Sequence, residues 1–313
     1  MDIGQGITFG GGVSITPNPP PPSSYKAIFG YGTTGSFTAI TNIVSNTGVV
    51  ANNTTGVGTA RQSLAAAGYG TDKAIFGYGY TGSNLSITNL VSNTGVVAND
   101  TAGVGTARYN LAAATYGSDK AIFGYGDTGS VTAVTNLVSN AGVVATNTTG
   151  VGTARSGLAA AGYGTNKAIF GYGSPNSGSS FVSMTNLVSN TGVVATDTAG
   201  VGTARQGPAA AGYGTDKAIF GYGTNASPAV SMTNLVSNTG VVSTDTTGVG
   251  TARSYLAAAS YGTDKSIFGY GANNLGTKVS MTNLVSNTGV VATDTTGVGT
   301  ARSDLAAASY GPT

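Results

Sequence analysis

Short runs of alternating apolar and small or polar residues fill the chain, and the same runs return at a regular interval. A Thr-Ala-Arg triplet recurs along the chain, and successive arginines of these triplets lie 47 to 50 residues apart. This interval is typical of solenoids and propellers, in which each unit buries its apolar face against the next. The segment KAIFGYG begins at Lys26, Lys73, Lys120, Lys167 and Lys217, and it reappears as KSIFGYG at Lys265.

Each copy carries the pattern of four antiparallel strands. In the copy that begins at Arg61, we predict strands over residues 61–69, 73–78, 86–91 and 96–101, with Gly, Asn, Asp and Thr in the turns between them. The first of these strands contains three consecutive alanines. Small residues suit the innermost strand of a radial array, where neighbouring sheets crowd together.

The incomplete copies at the two ends of the repeat region bear on closure. The first copy starts at Lys26 with its second strand, and the last copy stops after its first strand, residues 302–310. Joined, the two fragments make one full unit. We therefore predict an all-β fold, a six-bladed propeller of four-stranded antiparallel blades with one blade closed by both termini, which leaves no open edge. A β-helix is the alternative.

The first 25 residues differ from the repeats. Residues 1–15 form a Gly-rich segment with a strand pattern, which we expect to pair with another element and to act as an anchor. Residues 16–25 are rich in proline and predict a stiff, extended linker. A disordered leader is the alternative for this whole region. Residues 26–313 would then form the propeller domain.

Composition narrows the range of functions. Charged residues make up only 8% of the chain and the net charge is +2, so there is no basic patch for nucleic acid. No apolar stretch is long enough to cross a membrane. Histidine, cysteine and glutamate are absent, which removes the usual metal ligands and most acid–base pairs. We expect no cofactor, no metal site and no catalytic residue.

The arginines and one aspartate position are the conspicuous charges within the repeats. We interpret the arginines as structural groups that bond to loop carbonyls; a central anion site is the alternative. Asp100 corresponds to Asp197, Asp245 and Asp294 in other copies but to Asn53 and Asn147 in two, as expected of a turn residue rather than of a catalytic carboxylate. The repeated arginines are Arg61, Arg108, Arg155, Arg205, Arg253 and Arg302.

The repeat resembles the kelch repeat in Arg61, in the Tyr69-Gly70 pair and in the IFGYG run of residues 75–79, and likewise in the other copies over residues 26–311. The resemblance implies four-stranded blades closed by a split blade. The sequence departs from the kelch pattern in having Gly77-Tyr78-Gly79 where that family has adjacent glycines, and in lacking tryptophan. Kelch-like propellers serve unrelated tasks, so the resemblance implies a fold and no particular partner.

The near identity of the copies and the Gly- and Pro-rich head are also similar to phage virion proteins such as fibre or decoration subunits. This second resemblance implies a virion or extracellular surface location. Other virion or surface proteins would then be the partners of residues 1–15, and further copies of this chain are the alternative partners.

Differences between the copies collect at two places, the loop after the second strand and the pair of residues after each arginine. In an up-and-down blade these two places lie at the same end, so they predict one binding face for a host glycan or a receptor protein. Drift of exposed loops is the alternative explanation. The candidate ligand-binding residues are Tyr80, Tyr109, Asp127, Phe181, Asn225, Tyr255, Asn273, Asn274 and Lys278.

Two hypotheses of function follow. The first is a non-enzymatic recognition head, displayed by its N-terminal anchor, that binds glycan or protein through the variable loops. The second is a purely structural assembly subunit, such as a capsid, tail or fibre component, without a ligand. A propeller glycosidase ranks third because the chain has only aspartate for acid–base chemistry.

Overall fold

The computed structural model describes residues 8–9, 13–14, 25–226 and 228–311. Over these residues every regular element is a β-strand, each paired antiparallel, and none is a helix. The prediction of an all-β fold is confirmed. The described strands form six three-stranded sheets and two two-stranded ribbons.

The strands are, in chain order, β1 (Thr8–Phe9), β2 (Val13–Ser14), β3 (Lys26–Gly30), β4 (Thr41–Val44), β5 (Ala65–Tyr69), β6 (Lys73–Tyr80), β7 (Asn84–Val91), β8 (Ala112–Tyr116), β9 (Lys120–Gly124), β10 (Thr135–Val138), β11 (Ala159–Tyr163), β12 (Lys167–Gly171), β13 (Thr185–Val188), β14 (Ala209–Tyr213), β15 (Lys217–Gly221), β16 (Thr233–Val236), β17 (Arg253–Ser254), β18 (Ala257–Tyr261), β19 (Lys265–Gly269), β20 (Ala272–Asn273), β21 (Thr282–Val285) and β22 (Ala306–Tyr310). We number the three-stranded sheets I (β22-β3-β4), II (β5-β6-β7), III (β8-β9-β10), IV (β11-β12-β13), V (β14-β15-β16) and VI (β18-β19-β21). The ribbons are β1-β2 and β17-β20.

The first two strands of each sheet form a tight hairpin. In sheet II, Tyr69 pairs with Lys73 across a turn in which Gly70 and Thr71 both have a positive φ, of 60° and 68°. Along β5 buried and half-buried residues alternate, as expected of a strand with one covered face. The central strand β6 is buried on both faces from residue 74 to residue 79, which requires neighbours on both sides of the sheet.

The predicted fourth strand is not a strand, and this corrects the prediction of four-stranded blades. In sheet II its segment makes only two isolated bridges, Val91 with Val97 and Thr88 with Thr101. Three residue steps separate Thr88 from Val91, but four separate Val97 from Thr101, so the register slips by one residue between the bridges. The amide of Asn89 donates to the Ala98 carbonyl at 3.0 Å there, taking a backbone donor's place.

Sheet I combines the two ends of the repeat region. The C-terminal strand β22 pairs antiparallel with β3, with Ala306 opposite Gly30 and Tyr310 opposite Lys26. This is the pairing that the incomplete first and last copies predict. The sheet has the same register as the others, since Ala65 lies opposite Gly77 in sheet II.

The hydrophobic core lies between the sheets rather than within one layer. Ala65, Tyr69 and Ile75 of sheet II pack in one cluster with Leu111 and Phe123 of sheet III. A Cβ atom on Gly77 would lie 2.7 Å from Cζ of Phe123, so the ring fits only because residue 77 is glycine. The same glycine–phenylalanine contact joins Gly124 to Phe170, Gly171 to Phe220, Gly221 to Phe268, Gly269 to Phe29 and Gly30 to Phe76.

The first strands of the sheets also contact one another in sequence. Each of them packs against the first strands of two other sheets. The contacts run from β5 to β8, β8 to β11, β11 to β14, β14 to β18, β18 to β22, and β22 to β5.

Only part of the N-terminal region can be compared with its prediction. Strands β1 and β2 pair with each other, Thr8 opposite Ser14 and Phe9 opposite Val13, so this part of the Gly-rich segment forms its own ribbon. The remaining residues of 1–15, and residues 16–24 of the predicted linker, lie outside the described residues.

Candidate binding face

The two variable places of each copy are hydrogen bonded to each other. In sheet II, Gln62 and Tyr80 exchange backbone hydrogen bonds of 2.9 and 3.1 Å. In sheet III, Tyr109 and Asp127 do the same at 2.8 and 3.1 Å. Equivalent contacts occur in the other four sheets, and we call this end of the sheets the variable face. It comprises residues 62–63, 80–84, 109–110, 127–131, 156–157, 174–181, 206–207, 224–226, 228–229, 254–255, 272–278, 303–304 and 33–37.

An aromatic row lies across three consecutive sheets of the variable face. The ring centroids of Tyr80 and Tyr109 are 5.4 Å apart, and those of Phe37 and Tyr80 are 6.3 Å apart. Both tyrosines are half-buried, whereas Phe37 is 38% exposed. We call these three residues the aromatic ledge. The structure thus brings the candidates Tyr80 and Tyr109 together and adds Phe37, which sequence reasoning missed although it is the bulky residue of a variable loop.

Three of the candidate residues hold loops together. Asp127 is 3% exposed, and its two carboxylate oxygens accept hydrogen bonds of 2.7 Å from the Gly129 amide and the Ser177 hydroxyl. Asn273 accepts the amides of residues 275 and 277 within its own turn. Asn274 accepts the Ala229 amide of the neighbouring loop. These side chains fix the shape of the face, because their oxygens are already occupied.

Phe181, Asn225 and Lys278 lie apart from the aromatic ledge, in the loops of sheets IV, V and VI. Phe181 is half-buried and Asn225 is exposed. Lys278 is half-buried and forms a backbone bridge with Ala272. The nine candidates therefore do not form one cluster; they are spread over sheets II to VI of the variable face.

A closed circuit of backbone hydrogen bonds joins the six sheets on this face. The residue two positions after each repeated arginine donates its amide to the carbonyl of the equivalent residue in the preceding sheet, at 2.7 to 2.9 Å. All these residues have a positive φ of 50 to 62°. The circuit runs from Ser63 to Asp304, Tyr255, Gly207, Gly157, Asn110 and back to Ser63.

Side chains of this circuit line a small cavity of ≈ 70 Å³. Burial, with a smaller effect of the Asp304 carboxylate, raises the pKa of Tyr255 to about 12. Burial also raises the pKa of Asp304, although the Ser303 and Ser63 hydroxyls and the Lys278 charge oppose the shift. The ring of Tyr255 lies against Gly207, where a Cβ atom would be only 3.1 Å from the ring. Burial thus raises the pKa of both Tyr255 and Asp304, which lie in consecutive sheets of the circuit.

The repeated arginines are fully buried and join neighbouring sheets. Arg61 donates to the carbonyls of Tyr78 and Thr59 at 2.8 and 3.0 Å, and to the side-chain oxygen of Asn89 at 2.7 Å. Its guanidinium carbon also lies 4.3 Å from the ring centroid of Tyr31 in the preceding sheet. Burial lowers the pKa of Arg61, and the neighbouring Tyr31 and Asp100 partly offset this. The contacts tie each guanidinium to backbone carbonyls and to the ring of a tyrosine in the preceding sheet, as the structural interpretation of the arginines expects.

The residues at the Asp100 position bind the loop before the repeated arginine of the same sheet, and we call this position the latch position. Asp197, for example, accepts hydrogen bonds from the Thr153 amide and hydroxyl and from the Asn186 amide group, and lies 3.9 Å from Arg155. Partial burial raises the pKa of Asp197, but these hydrogen bonds and the Arg155 charge outweigh it, so the net shift is downward. Asn147 keeps the same geometry, accepting from the Thr106 amide and donating to its hydroxyl at 2.6 Å.

The opposite end of the sheets, which we call the uniform face, carries the turns that hardly vary between copies. Lys73 and Asp72 form an ion pair of 2.8 Å there, and this hydrogen bond lowers the pKa of Asp72. A valine in the second turn of every sheet is 65 to 67% exposed. These valines are Val49, Val96, Val143, Val193, Val241 and Val290.

Comparison with protein-family models and with curated proteins finds no match to this chain. The described residues include no helix of the length and apolarity needed to cross a membrane. In the same part of the chain, no three Asp, Glu, His or Cys side chains converge as a metal site would require. The kelch resemblance and the virion resemblance stay predictions.

Proposed function

We propose that the six sheets close into a six-bladed propeller of three-stranded blades. Three repeating contacts support a closed ring: the first-strand contacts return from β22 to β5, the glycine–phenylalanine contacts return from Gly269 to Phe29, and the backbone circuit returns from Ser63 to Asp304. A β-helix would give stacked rungs with two free ends, and contacts between its first and last units would not be expected.

We further propose that this propeller is a non-enzymatic recognition protein that binds its ligand through the variable face. The observation that carries the proposal is the distribution of differences among copies: the variable loops and the residues after each arginine meet at one end of the sheets, and the uniform turns lie at the other. A face that varies while its scaffold repeats is the arrangement expected of a binding surface on a rigid frame. A virion or cell-surface location, with residues 1–25 as the anchor, fits the composition.

The absence of His, Cys and Glu supports a function without catalysis. The two aspartates of the variable face, Asp127 and Asp304, both accept hydrogen bonds from serine hydroxyls inside the protein. A glycosidase would need a pair of carboxylates available to its substrate, whereas these two already accept hydrogen bonds within the protein.

A test of this function uses the lack of cysteine in the chain. Asn225→Cys places a single thiol on the variable face, and Val96→Cys places one on the uniform face, both at exposed positions. Each variant is coupled to polyethylene glycol and applied to a printed array of oligosaccharides and to an array of purified cell-surface proteins. We expect the Asn225 conjugate alone to lose binding. Binding blocked only by the Val96 conjugate, or no binding on either array, would overturn the proposal.

A structural assembly subunit is the second candidate, and the exposed valines of the uniform face favour it. Two apolar grooves of ≈ 200 Å³ lie beside Val49 and Val290, each between neighbouring sheets. A second copy of this chain would be the natural occupant, because a repeating face matches another repeating face and its Lys and Asp side chains are self-complementary. Sedimentation velocity of the wild type and of the Val96→Asp, Val143→Asp, Val193→Asp variant would detect such an assembly, which the variant should dissociate.

A further inference from the structure

The aromatic ledge is not required by the fold. Where sheet II has Tyr80, sheets I, IV and V have Thr33, Ser174 and Thr224, with the same backbone bridge. The residues equivalent to Tyr109 are likewise small or amide side chains, Gln62, Ser156, Gln206, Ser254 and Ser303. Phe37 corresponds in its loop bridge to Val131 of sheet III. Since equivalent loops form the same bridges without these rings, the backbone contacts of the loops do not depend on them.

The ledge is uncharged. Loops 33–37 and 80–84 contain no Asp, Glu, Lys or Arg. Asp127, the one carboxylate beside Tyr109, is buried and both of its oxygens are hydrogen bonded. The repeated arginines of these three sheets, Arg302, Arg61 and Arg108, are fully buried. An anionic or cationic ligand would therefore find no opposite charge at this place.

Hydrogen-bonding groups border the rings. Gln62 forms a backbone bridge with Tyr80, and Asn110 follows Tyr109 in the chain, so two amide side chains and two phenols belong to this part of the face. All four residues are half-buried. Amide and phenol groups that lie beside an open aromatic surface can serve a ligand that is apolar on one side and rich in hydroxyls at its rim.

We propose that the aromatic ledge of Phe37, Tyr80 and Tyr109 binds an uncharged sugar chain. A pyranose ring presents a face of C–H groups that packs on aromatic rings, and its hydroxyls would bond to Gln62, Asn110 and the phenols. The spacing of the three rings, one on each of three consecutive sheets, suits a linear oligosaccharide rather than a single sugar. This inference rests on the proposed role of the variable face and names its ligand class.

The test replaces each ring by the residue that this chain carries at an equivalent position. The variant Phe37→Val, Tyr80→Thr, Tyr109→Gln copies Val131, Thr33 and Gln62, so its fold should persist, which an unchanged unfolding midpoint would verify. The probe is an array of neutral and acidic oligosaccharides, followed by titration calorimetry with the best neutral one. We expect one substitution to weaken binding about threefold to tenfold, and the triple variant to abolish it. The pair Tyr80→Phe, Tyr109→Phe keeps all three rings and loses only the phenol hydrogen bonds, so it should bind more weakly than the wild type but more tightly than the triple variant.

The outcomes separate this inference from the general proposal. Neutral glycan binding that is lost in the folded triple variant supports the sugar ledge. Binding to acidic glycans or proteins alone, unchanged in the triple variant but blocked by the polyethylene glycol conjugate of Asn225→Cys, overturns the ledge and leaves the variable face as the binding surface. Absence of binding on both arrays, or binding that neither the triple variant nor this conjugate reduces, overturns both.

Discussion

Two of the six repeated arginines, Arg108 and Arg302, lack the carboxylate that neighbours the others, because Asn147 and Asn53 stand at the latch position. Within the described residues, the Nη2 atoms of both arginines are also without a hydrogen-bond partner. A buried guanidinium without a counter-charge is costly. We therefore predict that Asn147→Asp stabilises the protein.

The size of the effect follows from the sheets that already carry the carboxylate. The arginine Nη1 and aspartate Oδ1 atoms are 3.8 to 4.0 Å apart in three of them. At this distance the attraction is about 4 kcal/mol for an effective dielectric constant of about 20. Loss of hydration of the carboxylate, which is about 30% exposed in those sheets, offsets a large part of it. We expect a net gain of about 1 to 2 kcal/mol in the free energy of unfolding.

Urea unfolding followed by circular dichroism measures this gain, with Asp197→Asn as the reverse change and Asn225→Asp, an exposed position in a loop without an arginine, as the control. The pKa of Asp197 is lowered in the folded protein from an ordinary value of 3.8. A group with a lowered folded pKa stabilises the protein above its unfolded pKa and loses this effect as the pH falls through the folded value. The gain from Asn147→Asp should therefore be full at pH 7, should begin to fall below about pH 4, and should disappear only as the pH falls through the lowered folded pKa.

A neutral or destabilising Asn147→Asp at pH 7, together with a neutral Asp197→Asn, would refute the view that charge pairing at the latch stabilises the buried arginine. A gain that persisted at low pH would instead point to hydrogen-bond geometry, since the protonated acid keeps an acceptor but has no charge.

Three further predictions concern packing and titration. Gly77→Ala should lower the free energy of unfolding by about 1 to 3 kcal/mol, because the new Cβ atom would meet the Phe123 ring. Gly162→Ser should change it by no more than about 0.5 kcal/mol, since Thr115 and Ser260 occupy the equivalent positions in other sheets. Urea unfolding compares the two variants. Asp304→Asn should raise the free energy of unfolding by about 1 kcal/mol at pH 7, because burial raises the pKa of Asp304 and the ionised carboxylate destabilises the folded protein. The gain should vanish below the ordinary pKa of 3.8, where Asp304 is protonated in both states. A gain that is the same at all pH values would contradict this reasoning. Tyr255→Phe should remove one tyrosine with a pKa of about 12 from an ultraviolet titration of the native protein, and loss of a tyrosine that ionises near 10 would contradict the assignment.

Local chemistry was sufficient to predict much of the fold. The period of the copies, the alternation in residues such as Ala65 to Tyr69 and the glycine turns identify the first three strands within a few residues. The fourth strand could not be excluded from the sequence, because Val96 to Thr101 has strand composition. This segment slips by one residue in register where the side-chain amide of Asn89 donates to the Ala98 carbonyl. In a regular strand pair, a backbone N–H group would donate to that carbonyl.

The candidate site was less predictable than the fold. Comparison of the copies locates the variable positions, but it gives no reason to prefer Phe37 over Phe181 or to suspect that Asp127 is buried. Which ring meets which depends on the packing of one sheet against the next: Phe37, Tyr80 and Tyr109 belong to three different sheets and are far apart in the chain.

The sequence by itself determined the repeat, the all-β class and the end of each unit at which differences collect, because these follow from periodicity and turn chemistry within one copy. Only the tertiary structure decided that each arginine stacks on a tyrosine of the preceding sheet. It also decided that residues of positive φ from all six sheets are hydrogen bonded in a backbone circuit, and that three aromatic rings meet on one side of the variable face. Those contacts form between copies, and the angle and distance between neighbouring sheets are set by side-chain packing, which no single copy encodes.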